Sequence, residues 1–161
     1  MAVNPALRKG LVAAAGGGVI AIATVLIPNL EGTEYKPYQD VGGVWTVCEG
    51  ITGPDVKPGK TYTREDCDQL LQKHLKPFVT LVNQVVKVPA SDYQKAALVS
   101  FSYNVGGRAF RNSSVLRYLN AGESHKACDA LRSWVYVDRI RIQGLANRRE
   151  VEREICNWGS S

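Results

Sequence analysis

The chain has 161 residues, 45% hydrophobic and 22% charged, the size and make-up of one globular domain; this excludes a two-domain enzyme, a disordered tail and a collagen-like repeat. Lys and Arg outnumber Asp and Glu by 20 to 15, a formal net charge of +5 that suits an anionic partner such as nucleic acid, a membrane surface or bacterial cell wall. The four cysteines, Cys48, Cys67, Cys128 and Cys156, form no CxxC pair, and the two histidines, His74 and His125, stand 51 residues apart, so the familiar zinc spacings are absent and no metal is expected.

Residues 10–30 carry no charge and follow Arg8 and Lys9, a pattern that keeps the N-terminus in the cytoplasm and sends the rest across a membrane. Export also accounts for the cysteines as disulfides. The apolar run 11–27 is 17 residues long, of which eight are Leu, Ile or Val and most of the others Ala or Gly. At roughly −0.3 to −0.6 kcal/mol per large aliphatic residue, those eight contribute on the order of −2.4 to −4.8 kcal/mol to insertion. Such a segment inserts but is weakly held. We read it as a membrane anchor that can leave the bilayer, ahead of a cleaved signal peptide with its A-x-A signal at Ala21-Ile22-Ala23, a permanent anchor, or a buried helix of a soluble fold.

Pro28 closes the apolar run. Residues 35–53 mix aromatic and β-branched residues with Gly and Pro, as short strands joined by tight turns do. Thr63-Arg64-Glu65-Asp66 has the form of a capping box and opens a helix. Along it Leu71, Leu75, Phe78, Val79, Val82, Val85 and Val86 follow helical spacing, with Pro77 forcing a kink or a break. Ser91-Asp92-Tyr93-Gln94 opens another helix that ends near Gly106-Gly107, and two further helices are expected over 124–137 and 145–158. The sum is an α+β domain, a small sheet followed by several helices. Of the three ways to pair four cysteines, the two local bonds Cys48–Cys67 and Cys128–Cys156 are favoured; four buried thiols are the alternative.

Two acids stand out. Glu31 directly follows the apolar segment, Asp40 lies nine residues on, and Thr46 six further. Glycosidic cleavage needs one carboxylic acid to protonate the leaving oxygen and a second group to hold water or act as nucleophile. Nine extended residues span roughly 30 Å, so the chain must fold back; Gly32 and Pro37 permit this, and Gly42-Gly43 turn it again toward Thr46. The spacing by itself is common, and a helix-terminal Glu with a turn Asp is its ordinary explanation.

The motifs are more specific than the spacing. The run 30–50, LEGTEYKPYQDVGGVWTVCEG, resembles the signature of the phage lysozymes of glycoside hydrolase family 24. The resemblance continues through FSYNVGGRAFRNSSVLRYLNAG at 101–122, GLANRREVE at 144–152 and Trp158. It implies a lysozyme-like fold, a small antiparallel sheet plus a mostly helical lobe, preceded here by an N-terminal apolar helix. It also implies Glu31 as general acid, Asp40 as second carboxylate and Thr46 as a residue that helps hold the water. The substrate implied is peptidoglycan, cut at the β-1,4 bond between N-acetylmuramic acid and N-acetylglucosamine, with no cofactor and no metal.

Soluble members of that family lack an apolar leader, whereas this chain is similar to the signal-anchor-release endolysins. Residues 1–28 are therefore expected to form the anchor, inserted in the host inner membrane through 10–27, and 29–161 the catalytic domain. Glu31 is four residues past Ile27, so an inserted anchor holds it within roughly 13 Å of the bilayer boundary. The tethered enzyme is expected to be inactive. Loss of membrane potential, brought about by a holin-type depolariser, would release it to the periplasm, where the freed segment folds as a helix on the domain. No cysteine precedes Cys48, so release by thiol exchange within the anchor is closed.

Other residues carry weaker expectations. Arg148 or Arg149 is expected to pair with Glu31 or reach glycan, with one of the two exposed. Asn104 and Ser113 are sugar-contact candidates with turn or cap duty as the alternative. Trp45, Trp134 and Trp158 are assigned to packing. Basic residues between Arg132 and Arg153 alternate with acids, a solvated face, so the chain is read as a monomer that binds no nucleic acid. The alternatives to a lysozyme are a lytic transglycosylase using Glu31 without Asp40, and a non-catalytic membrane-held wall-binding module.

Overall fold

The computed structural model describes residues 2–159; Met1, Ser160 and Ser161 lie outside the described residues. The chain begins with a helical hairpin. The Asn4 side chain accepts a hydrogen bond from the Leu7 N–H, and Pro5 occupies the first turn of α1 (Pro5–Ala14), where its missing N–H costs nothing. A tight turn over Ala15–Gly17 leads into α2 (Gly18–Glu31). Gly18 has φ 78° and ψ −166°, a conformation essentially restricted to glycine, and a Cβ on Gly17 would stand 2.6 Å from the Ala21 Cβ. Gly10 consequently lies against Val25, with only 3.2 Å from a Cβ built on it to Val25 Cγ1. In an unbroken helix those positions would be about 22 Å apart. The apolar run is thus helical as expected, but its three glycines divide it into two helices folded on one another. α2 continues through Pro28 and ends on Glu31.

Three antiparallel strands come next, β1 (Glu34–Gln39), β2 (Trp45–Cys48) and β3 (Ile51–Thr52), in that order across the sheet. Tyr38 pairs with Thr46 and Thr46 in turn with Thr52. Beneath them Val47, Ile51, Val56 and Tyr62 form a small core closed by the Cys48–Cys67 disulfide. Cys67 belongs to α3 (Arg64–Val85), which opens with the expected capping box: the Thr63 hydroxyl accepts from Asp66 N–H while the Asp66 carboxylate accepts from Thr63 N–H. α3 runs unbroken through Pro77, because Leu71, Leu75, Leu81 and Val82 are buried along its length and tertiary packing outweighs the lost bond. It joins the sheet to the helical core.

That core is built around α4 (Asp92–Val105), capped by Ser91 and buried continuously from Ala96 to Ser102. α2, α3 and α8 (Gln143–Cys156) pack against it. Ile22, Leu26 and Ile27 of α2 and Leu11 of α1 are fully buried in the same cluster. The short helices α5 (Gly107–Arg111), α6 (Ser114–Asn120) and α7 (Ser124–Ala130) complete the lobe. The helix expected over 124–137 stops early. After a tight turn at Leu131–Ser133 the chain forms a two-stranded hairpin, β4 (Tyr136–Val137) and β5 (Ile140–Arg141). Its two loop residues, Asp138 and Arg139, both have positive φ, 49° and 68°, as a tight hairpin turn of this length requires. Asp at the first position and flanking β-branched residues are the signal that helical spacing obscured.

The second disulfide, Cys128–Cys156, ties α7 to α8 across 28 residues. Replacing both cysteines by Ser is expected to lower stability by about 3 kcal/mol, the loop-closure entropy returned to the unfolded chain. Urea unfolding measures it, and an unchanged midpoint would refute the estimate.

Candidate active site

Glu31 is the last residue of α2, and the burial of Ile22, Leu26 and Ile27 against α4 sets where it stands. Its side chain is 22% exposed, and its Oε1 accepts from Arg148 Nη1 at 2.8 Å. Arg148 comes from α8, 117 residues away in sequence, and is itself held on all sides. Nε donates to Glu152 Oε2 at 3.2 Å, and Nη2 donates to the Ser100 carbonyl at 2.9 Å and to Ser100 Oγ at 3.2 Å. The Ser100 hydroxyl donates to Glu152 Oε2 at 2.6 Å, and Arg149 Nη1 donates to Glu152 Oε1 at 2.6 Å. Arg149 also donates to the Trp134 carbonyl at 2.9 Å and to Asn104 Oδ1, and lies over the Phe101 ring. Arg148 and Arg149 are both buried, which corrects the expectation that one of them would face solvent. Successive residues on a helix point 100° apart; both find the interior because α8 is wedged between α4 and the Trp134 segment.

The electrostatics of Glu31 arise from this setting. Burial pushes its carboxyl above the ordinary glutamate value, Arg148 pulls in the opposite direction, and the charges of Glu49 and Glu152 add to the rise. The net effect is upward, so Glu31 holds its proton to higher pH than a free glutamate. Protonated, it still offers Oε1 to Arg148. Tyr103 on α4 donates its hydroxyl to the Glu49 carbonyl at 2.9 Å. Burial and the two nearby carboxylates, Glu31 and Glu49, raise its phenol well beyond the ordinary range, so it is a donor at any working pH.

Asp40 stands at the turn from β1 to β2. Its backbone N–H donates to the Val44 carbonyl, and its Oδ1 accepts from the N–H groups of Gly42 and Val44 at 2.8 and 2.9 Å. One carboxylate oxygen is therefore spent on shaping the turn while the residue stays exposed. Thr46, on β2, is buried and donates to the Val44 carbonyl at 3.0 Å. The β1–β2 hairpin thus brings Asp40 and Thr46 to one end of the sheet. Gly50, in the turn after β2, lies against Glu31, whose Oε2 is 3.7 Å from a Cβ built there.

The remaining candidates take other duties. Ser113 is buried, caps α6 by accepting from Leu116 N–H, and donates to the Phe110 carbonyl at 2.7 Å. The Asn104 carbonyl oxygen is occupied by Arg149. Trp134 packs edge-on against Phe101 and Trp158 against Tyr93, while Trp45 is 40% exposed on β2. A concavity of about 470 Å³, lined by Arg132, Tyr136, Arg141, Gln143 and Arg149, opens beside the β4–β5 hairpin and touches the ion cluster only through Arg149. Sequence reasoning passed over Glu152 and Glu49. Glu152 was signalled by its place three and four residues after the two arginines, the helical spacing for ion pairs; Glu49 had no signal beyond its place after Cys48.

A family model described as phage lysozyme matches residues 28–152. The chain is 50% identical to the SAR-endolysin of Bacteriophage PS119 over 165 aligned positions, 99% of each chain. Its fold is similar to the muramidase domain of SpmX from Asticaccaulis excentricus, with a TM-score of 0.78 and 34% identity, covering 83% of this chain and 92% of that one. It is also similar to the active form of the P1 phage endolysin Lyz, with a TM-score of 0.77 and 26% identity over 97% and 94% of the two chains.

Proposed function

This chain belongs to the phage lysozyme family and is a glycoside hydrolase of the endolysin type acting on peptidoglycan, and we propose that it works with Glu31 as general acid after leaving a membrane-tethered, inactive state. The bond cut is the β-1,4 link between N-acetylmuramic acid and N-acetylglucosamine. Glu31 gives its proton to the glycosidic oxygen as the C–O bond breaks. Asp40, with one oxygen free of the turn, and Thr46 hold the water that adds to the anomeric carbon. Arg148 keeps the Glu31 carboxyl aimed.

One observation carries the regulatory half: a single helix, α2, bears both the end of the apolar run and Glu31. The stretch Pro5–Glu31 is long and apolar enough to cross a membrane. While residues 10–27 are in the bilayer, with the N-terminus in the cytoplasm, α2 is withdrawn from α4 and α8, and Arg148 loses the carboxyl it orients. Division of the chain at residue 28 is therefore one of function, since α2 crosses it. Burying Leu11, Ile22, Leu26 and Ile27 on the domain contributes about 6–12 kcal/mol relative to water, which offsets the cost of withdrawing a weakly held segment from lipid. Release follows once a holin-type depolariser removes the field that holds Arg8 and Lys9 inside. The freed enzyme acts in the periplasm as a monomer.

Purified peptidoglycan tests the chemistry: new reducing ends support hydrolysis, whereas anhydromuramic ends would identify a transglycosylase and binding without products a wall-binding module. The glycines test the regulation. Gly16 has open space around it, whereas Gly17 and Gly18 do not tolerate a side chain in the hairpin. Gly16→Leu is expected to delay release by raising membrane affinity alone. The triple replacement of Gly16, Gly17 and Gly18 by Leu is expected to hold the protein in the membrane fraction and abolish lysis, because it also prevents α1 folding back on α2. Lysis by the triple variant as prompt as wild type would sink the release mechanism.

A further inference from the structure

A second buried carboxylate lies beside Glu31, unused by the chemistry above. Glu49 occupies the turn between β2 and β3, and its side chain is fully buried. Its Oε2 accepts from the Thr33 hydroxyl and, at 3.0 Å, from Arg64 Nη2. Its Oε1 is buried and has no hydrogen-bond partner among the described residues. The turn is held from three directions. Cys48 adopts the left-handed φ of 58° and is bonded to Cys67 on α3; Tyr103 donates to the Glu49 carbonyl; and Gly50 lies beside the Glu31 carboxyl, whose Oε2 is 3.7 Å from a Cβ built there.

Burying a carboxylate with one oxygen unpaired is costly. We propose that Glu49 is a positioning residue for the general acid: a buried negative charge, anchored by Arg64 and Thr33, that disfavours ionisation of Glu31 and so keeps there the proton the glycosidic oxygen must receive. The inference rests on the reading of Glu31 as that acid.

Burial is the largest influence that keeps the proton on Glu31, and the charges of Glu49 and Glu152 add to it. Arg148, from α8, draws the proton off. Glu152, also from α8, opposes it but has both oxygens engaged by Arg148, Arg149 and Ser100. Tyr103, from α4, remains neutral. Arg64, from α3, is 40% exposed and shares its guanidinium with Asp68 at 2.8 Å, so solvent and a second carboxylate screen the cation that balances Glu49. Gly50, next to Glu49 in the chain, lies beside Glu31, whose Oε2 is 3.7 Å from a Cβ built there, so the buried charge acts on Glu31 from the adjoining turn.

The test is the pH dependence of hydrolysis of a soluble, uncross-linked glycan of alternating N-acetylmuramic acid and N-acetylglucosamine. Activity falls on the alkaline side as Glu31 loses its proton. Glu49→Gln keeps an oxygen for Arg64 and Thr33 but removes the charge, and is expected to move that limb to lower pH by about 0.5–1 unit. A rate read on the wild-type limb then falls about three- to tenfold. The double variant Glu49→Gln, Arg64→Gln removes both charges and serves if the single one does not fold; its limb is expected to move the same way by less. A limb that stays at its wild-type position in the folded variant overturns the role of Glu49. Glu31→Gln separates the two readings. An inactive Glu31→Gln with an unmoved Glu49→Gln limb rejects Glu49 alone, whereas an active Glu31→Gln rejects Glu31 as the acid.

Discussion

Glu31→Gln is expected to lower kcat on purified peptidoglycan by at least about 10²–10⁴-fold, the usual contribution of a positioned general acid, with the fold unchanged. The substitution is nearly isosteric. A Gln oxygen can still accept from Arg148 Nη1, which now reaches Glu31 at 2.8 Å, so α2 keeps its packing on α4 and α8. What the amide cannot do is release a proton to the leaving oxygen. Reducing-end release on isolated sacculi measures the loss, and activity within tenfold of wild type would remove Glu31 from the mechanism. The sign of the pH dependence is set by the same surroundings. Burial, the largest influence, raises the Glu31 carboxyl above the free value despite the pull of Arg148. The active form is the protonated one, so activity extends to higher pH than a solvent-exposed glutamate would allow and declines as pH rises through the raised value. Restoring solvent to Glu31 in a folded, active variant moves the decline to lower pH.

Glu152→Leu is expected to destabilise the protein by about 3–5 kcal/mol, the cost of leaving buried charge without its partner. Glu152 is fully buried, and the side chains of Arg148 and Arg149 around it are 4% and 1% exposed. Two guanidinium groups share its carboxylate, and the Ser100 hydroxyl completes the set. Without Glu152 the cluster holds two cations, with Glu31 as its remaining carboxylate. Burial already draws the Arg149 guanidinium below its usual value, with Glu152 opposing that shift. Arg148 would then bind Glu31 more exclusively and favour its ionised form, so the variant should lose activity at neutral pH even at temperatures where it remains folded. Urea unfolding at neutral pH measures the first effect and hydrolysis in the cold the second. A stability loss under 1 kcal/mol would mean that the cluster is satisfied without its central carboxylate.

These two expectations depend unequally on what the sequence displays. The capping box at Thr63 and the N-cap at Ser91, the short strands around Asp40 and Thr46 and the pairing of neighbouring cysteines were legible because each arises within a few residues or favours the shorter loop. The Glu31–Asp40–Thr46 set emerged from motif resemblance, since its spacing alone is common. The hairpin at 136–141 was missed because Val135, Val137, Ile140 and Ile142 lie in a segment whose ends both read as helix, and the turn depends on positive φ at Asp138 and Arg139, neither of them glycine.

The sequence by itself determined that an apolar, glycine-interrupted segment precedes Glu31, the proposed general acid, by a few residues, and that local caps and turns shape the small sheet and the helices after it. Only the tertiary structure decided which groups surround that glutamate. Arg148 arrives from 117 residues away, the turn that carries Glu49 is held near Glu31 by a disulfide and a tyrosine from two other helices, and the three glycines fold the segment back on the body of the enzyme. Propensity and capping act over a turn or two of chain, whereas burial and the field of fixed charges belong to whichever side chains packing brings together.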